Sequence, residues 1–393
     1  MLNVFNKRIL IFALAPVSVL GLCTASQAYE INVDNTKINL YGFAQLDVAY
    51  NSGPEMAASG FVPLQIRPDD VDGSEGHTDL GAYTSRLGIS TVTPTKHGPF
   101  KTVIEGDFNG NGGGSFRLRH AYGVWNGILA GQTWTNFSGV VGLTPTIDFT
   151  GPVGRPNAGR LAQLRYTTGN FSVALEDPDT FSADIAGSDP SELDEYNNYY
   201  EIENQSRLPA LTMRYKNSQG PLSYEFGALI RELGYYNSIE DNDEYGWGWG
   251  LNAAASYTFS RDIVLRGVIT HGDGIGGYTF FNPGGAGYVD ESGDIETIEA
   301  SAADFGVTVP AGPGAFNISY AIVKADLDGV VDDGRVLPTP YGYEQYNSVF
   351  VNYIWSPIER VAYGIEAAHH KTEQVTGGSG DTYRVQGMIR YKF

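Results

Sequence analysis

Most of the residues of this sequence that could bind a ligand, judged by their types and spacing, are arginines. Six of them alternate with apolar residues at a period of two: Arg86, Arg117, Arg119, Arg165, Arg384 and Arg390. That period is typical of β-strands with one apolar and one polar face. Guanidinium groups gathered on such a polar face attract carboxylates and can bind them through two hydrogen bonds. The pattern predicts that the six arginines face an aqueous lumen.

A structural network is the alternative interpretation of the same arginines. Glu105, Asp107 and Glu176 also fall on polar faces and could neutralise them. Lipid is excluded as their surroundings, because a membrane-facing arginine costs about 2–4 kcal/mol at the bilayer midplane. Since the chain is strongly acidic, the concentration of its few cations on these stretches favours a binding role.

The segment 138–160 adds two further arginines. Its sequence, SGVVGLTPTIDFTGPVGRPNAGR, is rich in Gly and Pro and carries Arg155 and Arg160, with Asp148 opposing them. It falls where general porins fold a loop inward to constrict the pore, so we expect both arginines at a constriction. An ordinary external loop of the same composition is the alternative.

The sequence gives little support for a catalytic site or a metal-binding site. The six histidines are scattered and none heads a metal-binding motif, so no metal site and no cofactor is predicted. The run 241–246 superficially suggests an EF-hand, but Asn252 stands where that motif requires Glu. A hydrolase built on a barrel needs a Ser–His or Asp–His pair in space, which the sequence leaves open.

The last stretch of the chain shows which elements position the arginines. From Tyr383 to Phe393, residues suited to lipid alternate with polar and cationic ones, and aromatics stand at both ends of the apolar face. Interfacial aromatics of this kind are typical of a transmembrane β-strand. The first strand, 37–50, alternates in the same way. The strands of a soluble β-sandwich alternate in the same way, so one strand does not distinguish the two folds. The pattern along the whole chain is needed to distinguish them.

Sixteen such strands can be counted, with short and long connections alternating. Short turns are predicted at Asn126-Gly127, Thr168-Gly169 and Ser356-Pro357, and long loops at 177–206, 232–244, 272–300 and 326–345. Sorting of connections by length is typical of a porin, with short periplasmic turns and long external loops. The sequence therefore predicts an all-β fold, a transmembrane antiparallel β-barrel of about sixteen strands.

The N-terminus predicts export. Lys7 and Arg8 precede an apolar run from Ile9 to Leu22, and small residues precede a cut after Ala28, as in a secretory signal peptide. The predicted organisation is a signal peptide at 1–28, a short segment at 29–36 and a barrel domain at 37–393. Cleavage removes the single Cys23 and changes the net charge from −20 to −22. So acidic a chain is not expected to bind nucleic acid.

Three stretches resemble the DcaP-like porin family. They are Ser85–Gly98, Thr102–Phe137 and Thr146–Thr167, which cover about the first third of the barrel. The resemblance implies a trimeric outer-membrane channel associated with uptake of dicarboxylates and other organic anions. Some family members carry an N-terminal coiled coil. No heptads precede the first strand here, so no coiled coil is expected.

Together these features predict a porin of the bacterial outer membrane that passes small anionic solutes, organic (di)carboxylates foremost, by diffusion. The alternatives are a general, weakly selective porin whose acidic loops favour cations, and an outer-membrane barrel hydrolase. The expected partners are a homotrimer, outer-membrane lipid, the barrel-assembly machinery acting on the strand that ends at Phe393, and lipopolysaccharide. Acidic residues at 178–206 and 273–299 could reach lipopolysaccharide through divalent cations, although a solvated, mutually repelling loop surface is the favoured interpretation of them.

Overall fold

The computed structural model describes residues 29–156, 159–179, 185–186, 206–237, 242–290, 292–335 and 337–393. Most of these residues lie in β-strands, and one short helix, α1, spans Asp328–Asp332. None of the described helices is long and apolar enough to cross a membrane. The predicted signal peptide at 1–28 and most of the acidic loop at 178–206 lie outside the described residues.

Sixteen strands form a closed antiparallel barrel whose order follows the chain. They are β2 (Thr36–Asn51), β4 (Arg86–Thr93), β5 (Phe100–Gly110), β6 (Ser115–Trp125), β7 (Ile128–Trp134), β8 (Arg160–Thr168), β9 (Phe171–Glu176), β11 (Ala210–Gln219), β12 (Leu222–Asn237), β13 (Asn242–Thr258), β14 (Val264–Asp273), β17 (Glu299–Ala311), β18 (Gly314–Ala325), β19 (Tyr343–Ile358), β20 (Val361–Gln374) and β21 (Ser379–Lys392). The barrel closes because β21 pairs with both β20 and β2. The predicted sixteen-strand barrel is confirmed.

Five shorter strands add to this wall or stand apart from it. They are β1 (Tyr29–Val33), β3 (His77–Gly81), β10 (Ile185–Ala186), β15 (Gly287–Val289) and β16 (Ile295–Thr297). β1 pairs with the start of β2, so the short segment before the first barrel strand is itself a strand. β3 pairs with the other end of β2, beyond β4. β10, β15 and β16 form a small separate sheet in the external loops.

Side chains alternate between two environments along each strand. On β21, Tyr383 and Val385 are exposed on the outer wall, whereas Arg384 and Gln386 are buried inside. The outward residues of most strands are large and apolar, which is what contact with lipid requires. The alternation that predicted the strands therefore also gives the barrel its lipid face and its polar interior.

The connections differ from the prediction at one place. The long loop expected at 232–244 is wrong, because β12 and β13 continue through most of it and pair Glu232 with Trp247 and Asn237 with Asn242. Charged residues and the glycines Gly246 and Gly248 hide the period of two there. Two external connections, 111–114 and 375–378, are also short, so the alternation of loop lengths is less regular than the sequence suggested.

External loops, rather than a conventional core, fill part of the barrel. Residues 135–156 and 159, which lie between β7 and β8 and are named here the constriction loop, run inside the wall. Val153 of this loop packs with Phe61 of the first external loop and Phe350 of β19. The loop also approaches the wall closely: a Cβ on Gly142 would lie 2.2 Å from the carbonyl oxygen of Gly267, so glycine is required there.

Candidate functional site

Three arginines share two carboxylates on adjacent strands of the barrel interior. Arg117 donates to Asp107 from Nε at 3.0 Å and from Nη2 at 2.9 Å. Arg119 contacts both acids, at 3.0 Å to Glu105 and 2.8 Å to Asp107. Arg86 lies 3.4 Å from Glu105. Charge-assisted bonds of this geometry are strong, so the five groups hold one another in a fixed arrangement.

A β-bulge brings Arg119 to this position. Glu105 pairs with His120 whereas Gly106 pairs with Leu118, which leaves Arg119 as the extra residue of β6. Beyond the bulge the faces of β6 shift. His120 lies inside, 4.0 Å from Glu105, and the ring of Tyr122 lies 6.3 Å from that of His120. Tyr122, which the alternation with Arg117 and Arg119 in the sequence would turn towards lipid, therefore faces the lumen.

A fourth arginine completes what we name the arginine cluster: Arg86, Arg117, Arg119 and Arg160. The guanidinium of Arg160 lies 4.6 Å from the ring of Trp134, and its charge acts on those of Arg117 and Arg119. Within the described residues it forms no ion pair. Four arginines thus stand beside two carboxylates, and the cluster carries a surplus of positive charge.

The constriction loop is fastened to the inner wall by carboxylates on three strands. Glu176 accepts hydrogen bonds from the Thr135 hydroxyl at 2.6 Å and from the Asn136 amide at 2.5 Å. Glu225 accepts from the Ser138 hydroxyl at 2.7 Å. Glu366 accepts from two consecutive amides, those of Ile147 at 2.9 Å and Asp148 at 2.8 Å. These bonds place the loop inside the barrel.

Arg384 binds the tip of the constriction loop and does not line the path of the solute. Its side chain is only 2% exposed and lies 2.9 Å from Asp148, which is 0% exposed. It also donates to Asn51 at 2.7 Å and to the carbonyl oxygens of Ala57 and Ala58, each at 2.9 Å. The sequence prediction grouped Arg384 with the pore-lining cations, but every contact that it makes here is to strand or loop.

The first external loop joins the constriction loop at the same point. The amide of Phe61 donates to Asp148 at 3.2 Å, and the amide of Phe149 donates to the carbonyl oxygen of Ser59 at 2.8 Å. The ring of Phe149 lies 5.5 Å from the guanidinium of Arg117 and 5.4 Å from that of Arg119. The loop therefore meets the arginine cluster at Phe149.

Two of the remaining predicted arginines, Arg155 and Arg165, lie apart from the cluster, whereas Arg390 borders it, because its guanidinium and that of Arg86 lie over the same ring, that of Phe43. Arg155, on the constriction loop, packs 3.9 Å from the ring of Phe280; burial lowers its pKa to about 10, so it stays charged at neutral pH. Arg165 is 9% exposed and donates to the carbonyl oxygen of Trp134 at 2.6 Å. Arg390 donates to Gln45 at 2.5 Å and lies 4.4 Å from the ring of Phe43.

The comparisons with known proteins agree with this geometry. A family model described as "DcaP outer membrane protein" matches residues 21–281, more than half of the chain. The chain belongs to the DcaP outer membrane protein family. The family and the barrel identify it as a porin-type channel of the bacterial outer membrane. No curated protein sequence matches it significantly.

Solved structures related to this DcaP-family chain share its fold. The crystal structure of the outer membrane channel DcaP of Acinetobacter baumannii superposes with a TM-score of 0.76 at 24% identity, covering 91% of this chain and 98% of that one. An anion-selective porin from Comamonas acidovorans gives 0.55 at 16% identity, with 91% and 100% covered. A trimer form of OmpT of Vibrio cholerae gives 0.51 at 13% identity, with 92% and 100% covered. At such identities the likeness shows the fold alone.

Several residues of this DcaP-family site were not found from the sequence. Glu225 and Glu366 were not named as loop anchors, and Phe149 was not named as the residue facing the arginines. Inward parity on a strand could have indicated both acids, but nothing local pairs them with the loop. Among the described residues, no group of three or more His, Cys, Asp or Glu could hold a metal ion.

Proposed function

We propose that this DcaP-family channel conducts small anions, with organic (di)carboxylates as its main solutes. One observation carries the proposal: Arg86, Arg117, Arg119 and Arg160 stand beside only Glu105 and Asp107, at the point where the constriction loop narrows the lumen. A surplus of positive charge in a narrow, low-dielectric passage attracts anions more strongly than it would in bulk water.

The geometry of the cluster explains a preference for carboxylates. Arg117 is 28% exposed, so its guanidinium meets water while its Asp107 bonds fix its direction. A passing carboxylate can accept from such a preorganised donor without waiting for a flexible side chain to order. Because the acids already occupy part of the guanidinium groups of Arg86, Arg117 and Arg119, the attraction remains weak enough for the solute to leave, as conduction requires.

Passive conduction is proposed rather than catalysis. Among the described residues, three histidines lie within hydrogen-bond distance of a Ser or Asp side chain: Ser348 lies 3.2 Å from His370, Ser301 lies 2.9 Å from His271, and Asp381 lies 2.8 Å from His369. The first pair is buried beneath Phe61, whose ring stacks on His370 at 3.6 Å. On the outer wall, Ser301 and Glu299 approach the same nitrogen of His271, so they cannot form a relay through the two ring nitrogens.

The ion selectivity of single channels tests the proposal. Purified protein in a planar bilayer under a KCl gradient should give a reversal potential that shows preference for chloride, and added succinate should interrupt the current. A reversal potential that shows preference for potassium, without interruption by succinate, would support the weakly cation-selective alternative. Hydrolysis of a lipid or ester substrate without conductance would support the hydrolase.

We also infer the partners that the sequence predicted. A homotrimer is proposed because the related OmpT structure is described as a trimer form. Chemical crosslinking in native membranes should reach a trimer, and crosslinking that stops at the monomer contradicts it.

The exposed apolar wall implies contact with outer-membrane lipid, and contact with lipopolysaccharide through the acidic loops is proposed with it. Native mass spectrometry in a mild detergent checks both lipid contacts.

A further inference from the structure

Asp304 of β17 is an inward-facing carboxylate without a hydrogen-bond partner. Its side chain is 1% exposed, and neither Oδ1 nor Oδ2 has a partner among the described residues. A buried, ionised carboxylate without partners costs several kcal/mol or more, so protein interiors almost always pair such a group. Something outside the polypeptide is needed to complete its surroundings.

The position of Asp304 is beneath the constriction loop. Two residues along the strand, a Cβ on Gly306 would lie 2.2 Å from the hydroxyl oxygen of Thr144, which belongs to the loop. Two residues in the other direction, Ala302 meets Gly154, where a Cβ would lie 2.6 Å from the Ala302 Cβ. The two halves of the loop, one at Thr144 and the other at Gly154, thus pack against the wall on either side of Asp304 and cover it.

Three hydroxyl groups around Asp304 are also unpaired. Ser319 is 2% exposed, and Thr144 and Thr270 are each 4% exposed; none of their hydroxyl oxygens has a hydrogen-bond partner in the described structure. Ser319 pairs with Gly306 across one ladder, and Thr270 pairs with Ala302 across the other. Both are diagonal neighbours of Asp304 on the inner face but lie on opposite sides of it, and only Ser319 lies at Gly306, where Thr144 of the loop packs.

Asp304 differs from the other inward acids that meet the loop. Glu176, Glu225 and Glu366 each accept hydrogen bonds from loop amides or hydroxyls. Asp304 makes no such bond, and the only described charge acting on it is that of Arg155, which packs on Phe280 and forms no ion pair with it. The wall therefore holds a negative charge under the middle of the loop that the loop itself does not bind.

We propose that Asp304, Thr144 and Ser319 bind an alkali metal cation, Na⁺ or K⁺, between the constriction loop and the wall. All the donors are hard oxygens, which suit such ions. A single carboxylate balances one positive charge, whereas Ca²⁺ sites take six to eight oxygens, commonly with several carboxylates, and Mg²⁺ demands a near-ideal octahedron. Since Thr144 lies on the loop and the other two on the wall, the cation would fasten the loop at its middle.

Crystals of the full chain soaked in thallium(I) nitrate test the site, because Tl⁺ replaces alkali cations and scatters anomalously. We expect an anomalous peak within coordination distance of the Asp304 carboxylate, and its loss in Asp304→Asn, which keeps the shape but removes the charge. A wild-type crystal with no peak there would overturn the proposal and leave ordered water as the occupant.

A solution measurement keeps the test independent of crystals. The melting temperature of the wild type in detergent should fall when Na⁺ is replaced by N-methylglucamine at constant ionic strength, because a ligand of the native state stabilises it. Asp304→Asn should show no such response. If Asp304→Asn does not fold, Ser319→Ala, which removes one hydroxyl donor, should show a weaker response to Na⁺. A wild type indifferent to the exchange contradicts the site, and anion selectivity is not involved in either outcome.

Discussion

The guanidinium of Arg384 lies 2.9 Å from the carboxylate of Asp148, and this contact joins the last strand of the barrel to the tip of the constriction loop. The two residues are separated by most of the chain, and both are buried. The same carboxylate accepts the amide of Phe61, so one ion pair holds two loops against the closing strand. The placement of the constriction loop therefore involves a contact with the strand that closes the barrel.

Breaking this ion pair should loosen the constriction. Arg384→Gln leaves Asp148 buried without its countercharge, a loss of about 3–5 kcal/mol for a buried pair. Because the loop keeps its bonds to Glu366, we expect an assembled barrel with noisier and larger single-channel currents. Recordings in planar bilayers measure this effect. The control is the double variant Arg384→Gln with Asp148→Asn, which removes both charges and should be quieter; a single variant as quiet as the wild type contradicts the anchoring role.

Phe149 should set how closely the loop meets the arginine cluster. Its ring contacts Arg117 and Arg119, and each cation–π contact contributes about 0.5–1 kcal/mol. Phe149→Ala removes the ring, so conductance should rise while the preference for anions remains. Phe108→Ala serves as the matched control, because Phe108 is exposed on the outer wall and should leave the conductance unchanged. Unchanged conductance in Phe149→Ala would place the narrowest point elsewhere.

The sequence predicted the barrel well because each strand meets lipid on one side and water on the other. That constraint gives the barrel strands a period of two, and in the structure Arg117 and Arg384 lie on the inner side of the wall. It failed at Tyr122, where the bulge at Arg119 shifts the faces without changing the local pattern. It also failed above the membrane at 232–244, where the strands continue in water and no longer need an apolar face.

The contacts that build the site could not be predicted from the sequence. Glu366 binds Ile147 and Asp148 over more than two hundred residues of chain. Periodicity shows that such an acid points inward, but it does not show which loop reaches it. For this reason the eight predicted arginines divide in the structure into a cluster, a loop anchor and separate contacts, a division that depends on how the loops fold inside the wall.

The C-terminal residue should be needed for assembly. The amide of Phe393 donates to the carbonyl oxygen of Gly42 at 3.1 Å, which continues the ladder that closes the barrel. Deleting Phe393 removes this bond and the terminal aromatic that we expect the assembly machinery to bind. The amount of heat-modifiable protein in outer-membrane fractions should fall while total synthesis is unchanged. Phe393→Tyr, which keeps an aromatic ring, is the control, and normal surface levels after deletion would contradict the role.

Reversing two charges of the arginine cluster gives the most direct test of anion conduction. Arg117→Glu with Arg119→Glu replaces two positive charges by two negative ones, removes both ion pairs of Asp107 and leaves Glu105 with Arg86 alone. The local field therefore changes sign, and we expect preference for anions to weaken or reverse and block by succinate to be lost. Reversal potentials measure the change, which should be larger at low salt because screening is weaker there.

The control for this variant is an arginine elsewhere in the same lumen. Arg266 of β14 donates to Thr308 at 2.6 Å and lies on a different part of the wall from the cluster. Arg266→Glu makes half the change in charge without touching Glu105 or Asp107, so it should shift the reversal potential only slightly and leave block by succinate intact. Heat-modified mobility on a gel verifies that both variants assemble. If the double variant assembles and keeps the selectivity of the wild type, the cluster serves to hold the wall, and another part of the lumen selects the solute.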